Sequence, residues 1–76
     1  MEDKHKQKFV QLGLNIAYYR KLRGLTQEDL AESVGISRTH ISNIEAPKMS
    51  KAMSLEVLFD IADALQIPVS KLFELR

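Results

Sequence analysis

The sequence predicts an all-α protein, a compact bundle of five helices in one domain. Apolar residues recur at spacings of three and four, and no segment alternates apolar and polar residues long enough for a strand. Gly24, Gly35, Pro47 and Pro68 fall between these periodic segments, where helix-breaking residues are expected. The 76 residues suffice for one core, with residues 1–6 expected as a loose N-terminal tail.

The first two predicted helices cover about residues 5–23 and 26–34. The inward stripe of the first helix consists of Phe9, Leu12, Ile16 and Tyr19. In the second helix, Thr26 and Asp29 have the spacing of a capping box, in which a hydroxyl and a carboxylate bind free amides. Gly35 is expected to end this helix in the left-handed conformation that glycine tolerates.

The remaining predicted helices cover about residues 38–45, 55–66 and 70–75. Ser37 is a favourable cap for the third helix. The fourth helix has a predicted core stripe of Leu55, Leu58, Phe59, Ala62 and Leu65, and a second apolar stripe of Val57, Ile61 and Ala64. So wide an apolar arc indicates a central helix, or one whose second stripe contacts a partner subunit.

Residues 26–45 have the pattern of two helices joined by a tight turn. Ala31 is small where the helices would cross, Gly35 turns the chain, and Ile41 and Ile44 would fix the third helix to the second. The outer face of the third helix then carries Arg38, Thr39, Ser42 and Asn43. Such side chains can read base edges in the DNA major groove, where arginine suits guanine and asparagine suits adenine.

This segment resembles the helix-turn-helix of the phage Cro/CI repressor-like family, also called the Xre family. The matching pattern is Gln27-x3-Ala31-x3-Gly35-x5-Ile41-x2-Ile44-Glu45, with further matches at Leu12-Gly13, Ile16, Arg20, Leu58, Ala62-x-x-Leu65 and Pro68-x3-Leu72-Phe73. The resemblance covers about residues 9–74 and implies a lambda-repressor-like DNA-binding domain with its helix-turn-helix at helices 2 and 3. Ala46-Pro47 stands where the family often has Asn-Gly, so the path of the loop 46–53 is not carried over.

The resemblance also implies roles for individual residues. The base-reading residues would be Arg38, Thr39, Asn43 and Ser42, and the phosphate-binding residues Gln27, His40, Lys48 and Lys51. Gln27 would in addition brace the third helix. Arg20 and Glu45 both point inward by helical spacing, and we expect them to form a structural ion pair because buried charges need partners.

Other classes of protein find little support in the composition. There is no cysteine, no apolar run near the roughly 18 residues of a membrane span, and no apolar centre for a signal peptide. His5 and His40 lie far apart, so we expect no metal site, and no residues suggest catalysis. We therefore expect a cytoplasmic, non-enzymatic protein with no cofactor, no membrane contact and no small-molecule effector domain.

A core this small favours self-association. The expected dimer interface consists of Val57, Ile61, Leu72, Phe73 and Leu75, and part of the last three could instead close the core under the first helix. Leu14 and Tyr18 lie off the main stripe and are assigned no role beyond packing. The main hypothesis is a dimeric repressor or controller protein on a palindromic DNA operator. The alternative is a protein-interaction adaptor or antitoxin-type partner that retains the fold.

Overall fold

The structure, a computed structural model, describes residues 3–46 and 53–74. Within these ranges the α-helices are α1 (Lys6–Leu22), α2 (Gln27–Val34), α3 (Arg38–Glu45) and α4 (Leu55–Leu65). A single 3-10 turn, Asp3–His5, precedes α1, and a 3-10 helix, Val69–Phe73, follows α4. None of the described helices has both the length and the apolar character needed to cross a membrane.

The prediction of a fifth α-helix at residues 70–75 is wrong, because the described C-terminal segment is the 3-10 helix. Pro68 enters it in an extended conformation, and its carbonyl accepts a hydrogen bond from the Lys71 amide at 3.0 Å, three residues on. A segment of five residues is too short to repay the nucleation of an α-helix, and 3-10 geometry is typical of such short pieces.

Side-chain caps fix where three of the helices begin. Thr26 and Asp29 form the predicted capping box, with hydrogen bonds of 3.0 and 2.9 Å between each side chain and the other residue's amide. The hydroxyls of Ser37 and Ser54 accept hydrogen bonds from the amides three residues on, at 3.0 and 3.1 Å. In each of these three helices, the side chain of the capping residue therefore accepts a hydrogen bond from one of the free amides in the first turn.

One apolar core joins all four helices and the C-terminal 3-10 helix. Its buried members are Leu12, Ile16, Leu30, Ala31, Ile41, Ile44, Leu58, Ile61, Ala62, Leu65 and Leu72. The prediction that Leu55 and Phe59 belong to this core is wrong, since they are 66% and 50% exposed. Leu55 lies in the first turn of α4, and Phe59 lies at the edge of its acidic outer face; Ile61 is buried instead.

Two of the residues predicted at a dimer interface are unable to form one. Ile61 and Leu72 are fully buried inside the chain's own core, so they have no surface left for a second subunit. Leu75 lies outside the described residues. Val57 is half-buried and Phe73 is 59% exposed, so these two keep apolar surface that a partner can contact.

Asn15 of α1 and Arg23, the residue that follows α1, attach the C-terminal part of the chain. The Asn15 amide nitrogen, fully buried, donates to the carbonyl oxygens of Leu72 at 2.9 Å and Glu74 at 2.7 Å. The Arg23 guanidinium donates to the carbonyl oxygens of Leu65 at 2.7 Å and Gln66 at 3.1 Å. Arg23 thus satisfies carbonyls at the end of α4, rather than those of its own helix.

Candidate nucleic-acid interface

The helix α3 is anchored on one face and open on the other. Ile41 and Ile44 are 0% and 2% exposed, and they pack in the core beside Leu30 and Ala31 of α2. Of the four predicted base-reading residues, Arg38 and Thr39 are exposed and Ser42 and Asn43 are half-buried. The structure therefore holds these polar groups on the side of α3 away from its two isoleucines, as the helical period requires.

A three-residue turn joins α2 to α3. Gly35 has φ 82°, in the left-handed region, and its amide donates to the Ala31 carbonyl oxygen at 2.8 Å. The Ile36 amide donates to the same oxygen at 3.1 Å. The turn is closed by these backbone bonds, and glycine permits it because a Cβ is unfavourable at positive φ.

A buried ion pair connects α1 to the end of α3. Arg20 donates through Nε to Oε2 of Glu45 at 2.8 Å and through Nη2 to Oε1 at 3.1 Å, which is the bidentate geometry of a strong pair. Its Nη1 donates to the Leu25 carbonyl oxygen at 2.7 Å. All three guanidinium nitrogens are thus engaged within the protein, which is the arrangement of a structural ion pair that positions α3.

Gln27, the first residue of α2, bonds to this pair. Its Nε2 donates to Oε1 of Glu45 at 3.0 Å, so the start of α2 is tied to the end of α3. Because a carboxylate only accepts hydrogen bonds, Glu45 also determines which way the Gln27 amide is turned. The half-buried Gln27 retains one N–H and a carbonyl oxygen for further contacts, and its phosphate contact stays a prediction.

The backbones of α1 and α3 approach each other closely at Gly13. A Cβ placed on Gly13 would collide with the carbonyl oxygen of Ile44, near the end of α3. The presence of a glycine inside the first predicted helix is a sequence signal for this contact, and the sequence analysis missed it. Glycine inside a helix costs about 1 kcal/mol relative to alanine. A glycine at such a position is therefore expected where another backbone packs too closely to leave room for a Cβ.

The predicted phosphate contacts are only partly within the described chain. His40 is half-buried in the first turn of α3, and its amide donates to the Ser37 cap. Lys48 and Lys51 lie outside the described residues.

Asp29, in the first turn of α2, has a pKa below its usual value because it accepts hydrogen bonds from the Thr26 amide and, secondarily, interacts with the Thr26 hydroxyl. In the parts of the chain that the structure describes, no group of three His, Asp or Glu side chains is arranged to hold a metal ion.

Comparisons with known proteins place this geometry in context. The helix-turn-helix family model HTH_3 matches residues 16–72. The uncharacterized HTH-type transcriptional regulator MJ0272 of Methanocaldococcus jannaschii is 41% identical over 58 residues, covering 76% of this chain and 85% of that protein. The control protein C.SmaI of Serratia marcescens is 38% identical over 61 residues, covering 80% and 70%. The crystal structure of the restriction-modification controller protein C.AhdI from Aeromonas hydrophila superposes with a TM-score of 0.81 at 30% identity, covering 88% of this chain and 98% of that one.

Proposed function

Because the chain belongs to the helix-turn-helix family HTH_3, we propose that it binds double-stranded DNA sequence-specifically and regulates transcription, with α3 in the major groove. The observation that carries this proposal is the two-sided character of α3. Two buried isoleucines fix its position, while its other face offers hydrogen-bonding groups and no large apolar side chain. Support comes from relatives that are named as transcriptional regulators and as controller proteins.

Base reading is assigned to the outer residues of α3. Arg38 suits the two acceptors of a guanine, Asn43 suits an adenine, and the Thr39 methyl suits a thymine methyl. Ser42 lies beside Asn43 and can bond either a base or the backbone. These contacts carry the sequence specificity, because phosphate contacts are the same at every base pair.

Phosphate binding is assigned to Gln27 and His40, and to Lys48 and Lys51 of the following loop. Gln27 stands at the start of α2, where the helix dipole favours an anion. Its bond to Glu45 holds the side chain in place before DNA arrives, so little conformational entropy is lost on binding. These contacts fix the register of α3 on the duplex.

The assembly that we propose is a homodimer on a palindromic operator, with half-sites about 34 Å apart or a multiple of that distance. Of the predicted interface, Val57 and Phe73 retain accessible apolar surface. Such a dimer would act as a repressor or controller protein, in the cytoplasm together with the DNA, and no catalytic role is assigned.

The test begins with selection of binding sites from a random duplex pool, which returns the half-site, its spacing and its symmetry. Arg38→Ala is then expected to weaken binding to the selected site by about 1–3 kcal/mol and to relax one operator position. Lys21→Ala, which removes one exposed charge from α1, is the matched control. If Arg38→Ala selects the same sites as the parent with the same affinity, α3 is not the reading helix.

A salt titration with random duplex DNA separates the proposal from a protein-interaction adaptor of the same fold. A DNA reader loses affinity steeply as salt rises, because phosphate contacts release counterions. An adaptor would show little duplex affinity at any salt concentration, and that result would contradict DNA binding as the function.

A further inference from the structure

The outer face of α1 carries an apolar stripe that the core does not use. Leu14, Tyr18 and Leu22 recur every four residues and are 43%, 46% and 65% exposed. The residues from Lys6 to Leu22 include no acidic side chain, while Lys6, Lys8 and Lys21 are exposed. Lys21 lies one turn from Tyr18 on the same face, so the stripe is apolar with a basic border. We call Leu14, Tyr18, Lys21 and Leu22 the α1 stripe.

The outer face of α4 has the same spacing with the opposite charge. Leu55 and Phe59 are 66% and 50% exposed and lie four residues apart. Asp63 continues this line after four further residues. Glu56 and Asp60 lie beside it, both exposed, and α4 contains no basic residue. We call Leu55, Glu56, Phe59, Asp60 and Asp63 the α4 stripe.

Charge decides which surface each stripe can contact. Two α4 stripes placed together would bring carboxylates against carboxylates, which costs free energy as the apolar groups are desolvated, and two α1 stripes would offer Lys21 no opposite charge. The α1 stripe against the α4 stripe instead joins the apolar residues and places Lys21 among carboxylates. The two stripes belong to different helices and each faces solvent in the single chain, so the contact must be between two copies.

We propose that the α1 stripe of one copy binds the α4 stripe of another copy. This contact is heterologous, since the two copies contribute different surfaces, and each copy in it keeps one free stripe for the next copy. It is separate from the contact proposed for Val57 and Phe73, and it requires no DNA.

The contact belongs to the weak and transient class. Five partly exposed apolar side chains bury far less than the roughly 800 Å² per partner of a stable interface. Association beyond the basal state is therefore expected at protein concentrations between roughly 10 μM and 1 mM, with sedimentation velocity as the readout. It should weaken as salt rises, because the charges at its border are exposed and screened.

The decisive experiment blocks each stripe separately. The first variant, Leu14→Glu/Leu22→Glu, places acid on the α1 stripe; the second, Leu55→Lys/Phe59→Lys, places base on the α4 stripe. Each variant alone is expected to lose concentration-dependent association by at least about tenfold, because its altered stripe now repels the intact one. An equimolar mixture of the two is expected to associate again, since the first variant retains its α4 stripe and the second its α1 stripe.

The controls keep every outcome decisive. Glu32→Lys, an exposed charge change on α2 outside both stripes, is expected to associate like the parent. Circular dichroism shows whether each variant folds, and Lys21→Glu replaces the first variant if it does not.

Parent protein that does not associate beyond a dimer at 1 mM, on the order of the weakest specific affinities, would overturn the proposal. Loss of association in only one of the two variants, or no recovery in the mixture, would overturn it as well. DNA affinity at a single half-site does not depend on this contact, so failure here leaves the DNA-binding function standing.

Discussion

The helix α1 holds two short segments on its inner side, and it holds them by different means. It holds α3 through two buried isoleucines, a backbone approach at Gly13 and the Arg20–Glu45 ion pair. It holds the C-terminal 3-10 helix through one buried leucine, Leu72, and the amide of Asn15. The segment that we assign to DNA reading is thus held by apolar packing, a backbone contact and an ion pair, whereas the other is held on α1 by apolar packing and neutral hydrogen bonds. We attribute the additional kinds of contact at α3 to its need for a rigid surface.

The largest expected effect breaks the polar attachment of α3. Glu45→Ala leaves the Arg20 guanidinium buried without its carboxylate, which should cost about 3–5 kcal/mol of the free energy of unfolding, measured by urea denaturation. The double variant Arg20→Met/Glu45→Met removes both charges and should recover most of this loss. A double variant as unstable as Glu45→Ala would show that the loss comes from packing and not from an uncompensated charge.

The next effect tests the backbone contact of α3. A change from glycine to alanine inside a helix normally stabilises the helix by about 1 kcal/mol. At Gly13, however, the added Cβ would collide with the Ile44 carbonyl oxygen. We expect destabilisation by about 1–3 kcal/mol, as for overpacking, measured as a lower midpoint in urea. Ala17→Gly in the same helix is the control and should cost about 1 kcal/mol in the usual direction. An increase in stability for Gly13→Ala would mean that α1 and α3 separate freely.

An effect of similar size, confined to a smaller part of the molecule, is expected at the C-terminal segment. Asn15→Ala removes both hydrogen bonds to the carbonyls of Leu72 and Glu74, at a cost of about 1–3 kcal/mol for unsatisfied buried groups. Hydrogen exchange should show protection lost around the 3-10 helix before it is lost in α3. Gln7→Ala, which removes an exposed side chain from the same helix, should change little. Equal loss of protection in α3 would contradict the independence of the two attachments.

The smallest expected effect concerns pH. The pKa of the Asp29 carboxyl is lowered by the Thr26 amide and hydroxyl, so its folded value lies below the unfolded value of about 3.9. Its stabilisation of α2 is therefore complete above about pH 4 and is lost as the pH falls through the lowered folded value. Urea denaturation of the parent and of Asp29→Asn between pH 6 and pH 2 checks this, and the difference between them should shrink in acid. A difference that is constant across this range would show that the carboxylate charge has no part in the cap.

The sequence predicted the features that depend on local periodicity, and missed those that depend on which helix lies opposite. The cap of α2 and the inward isoleucines of α3 follow from spacings within one segment, so they were accessible. Phe59 was placed in the core because it fits the apolar period of α4, yet only the neighbours of a wide apolar arc decide which part is covered. The attachment of the last segment depends likewise on Asn15, which lies 57 residues earlier than Leu72.

The candidate site divides in the same way. Helical spacing places Arg38 and Asn43 together without any tertiary information, whereas the Gln27–Glu45 bond joins residues 18 apart in the chain. The resemblance to a family implied that Gln27 braces the third helix, but it did not identify Glu45 as the residue that Gln27 bonds. Inward spacing brought Arg20 and Glu45 into consideration, and their bidentate geometry required coordinates.

The glycine at position 13 has a consequence for how the duplex and the protein adjust to each other. With α1 and the last turn of α3 in backbone contact there, a rotation of α3 alone would drive one main chain into the other. In the DNA complex that we propose, the domain would therefore tilt as a rigid whole to follow a groove. Where the groove of an operator differs in width or curvature from what this rigid surface fits, the bending would then fall to the DNA. Base steps that deform easily would gain an advantage at positions that no side chain touches.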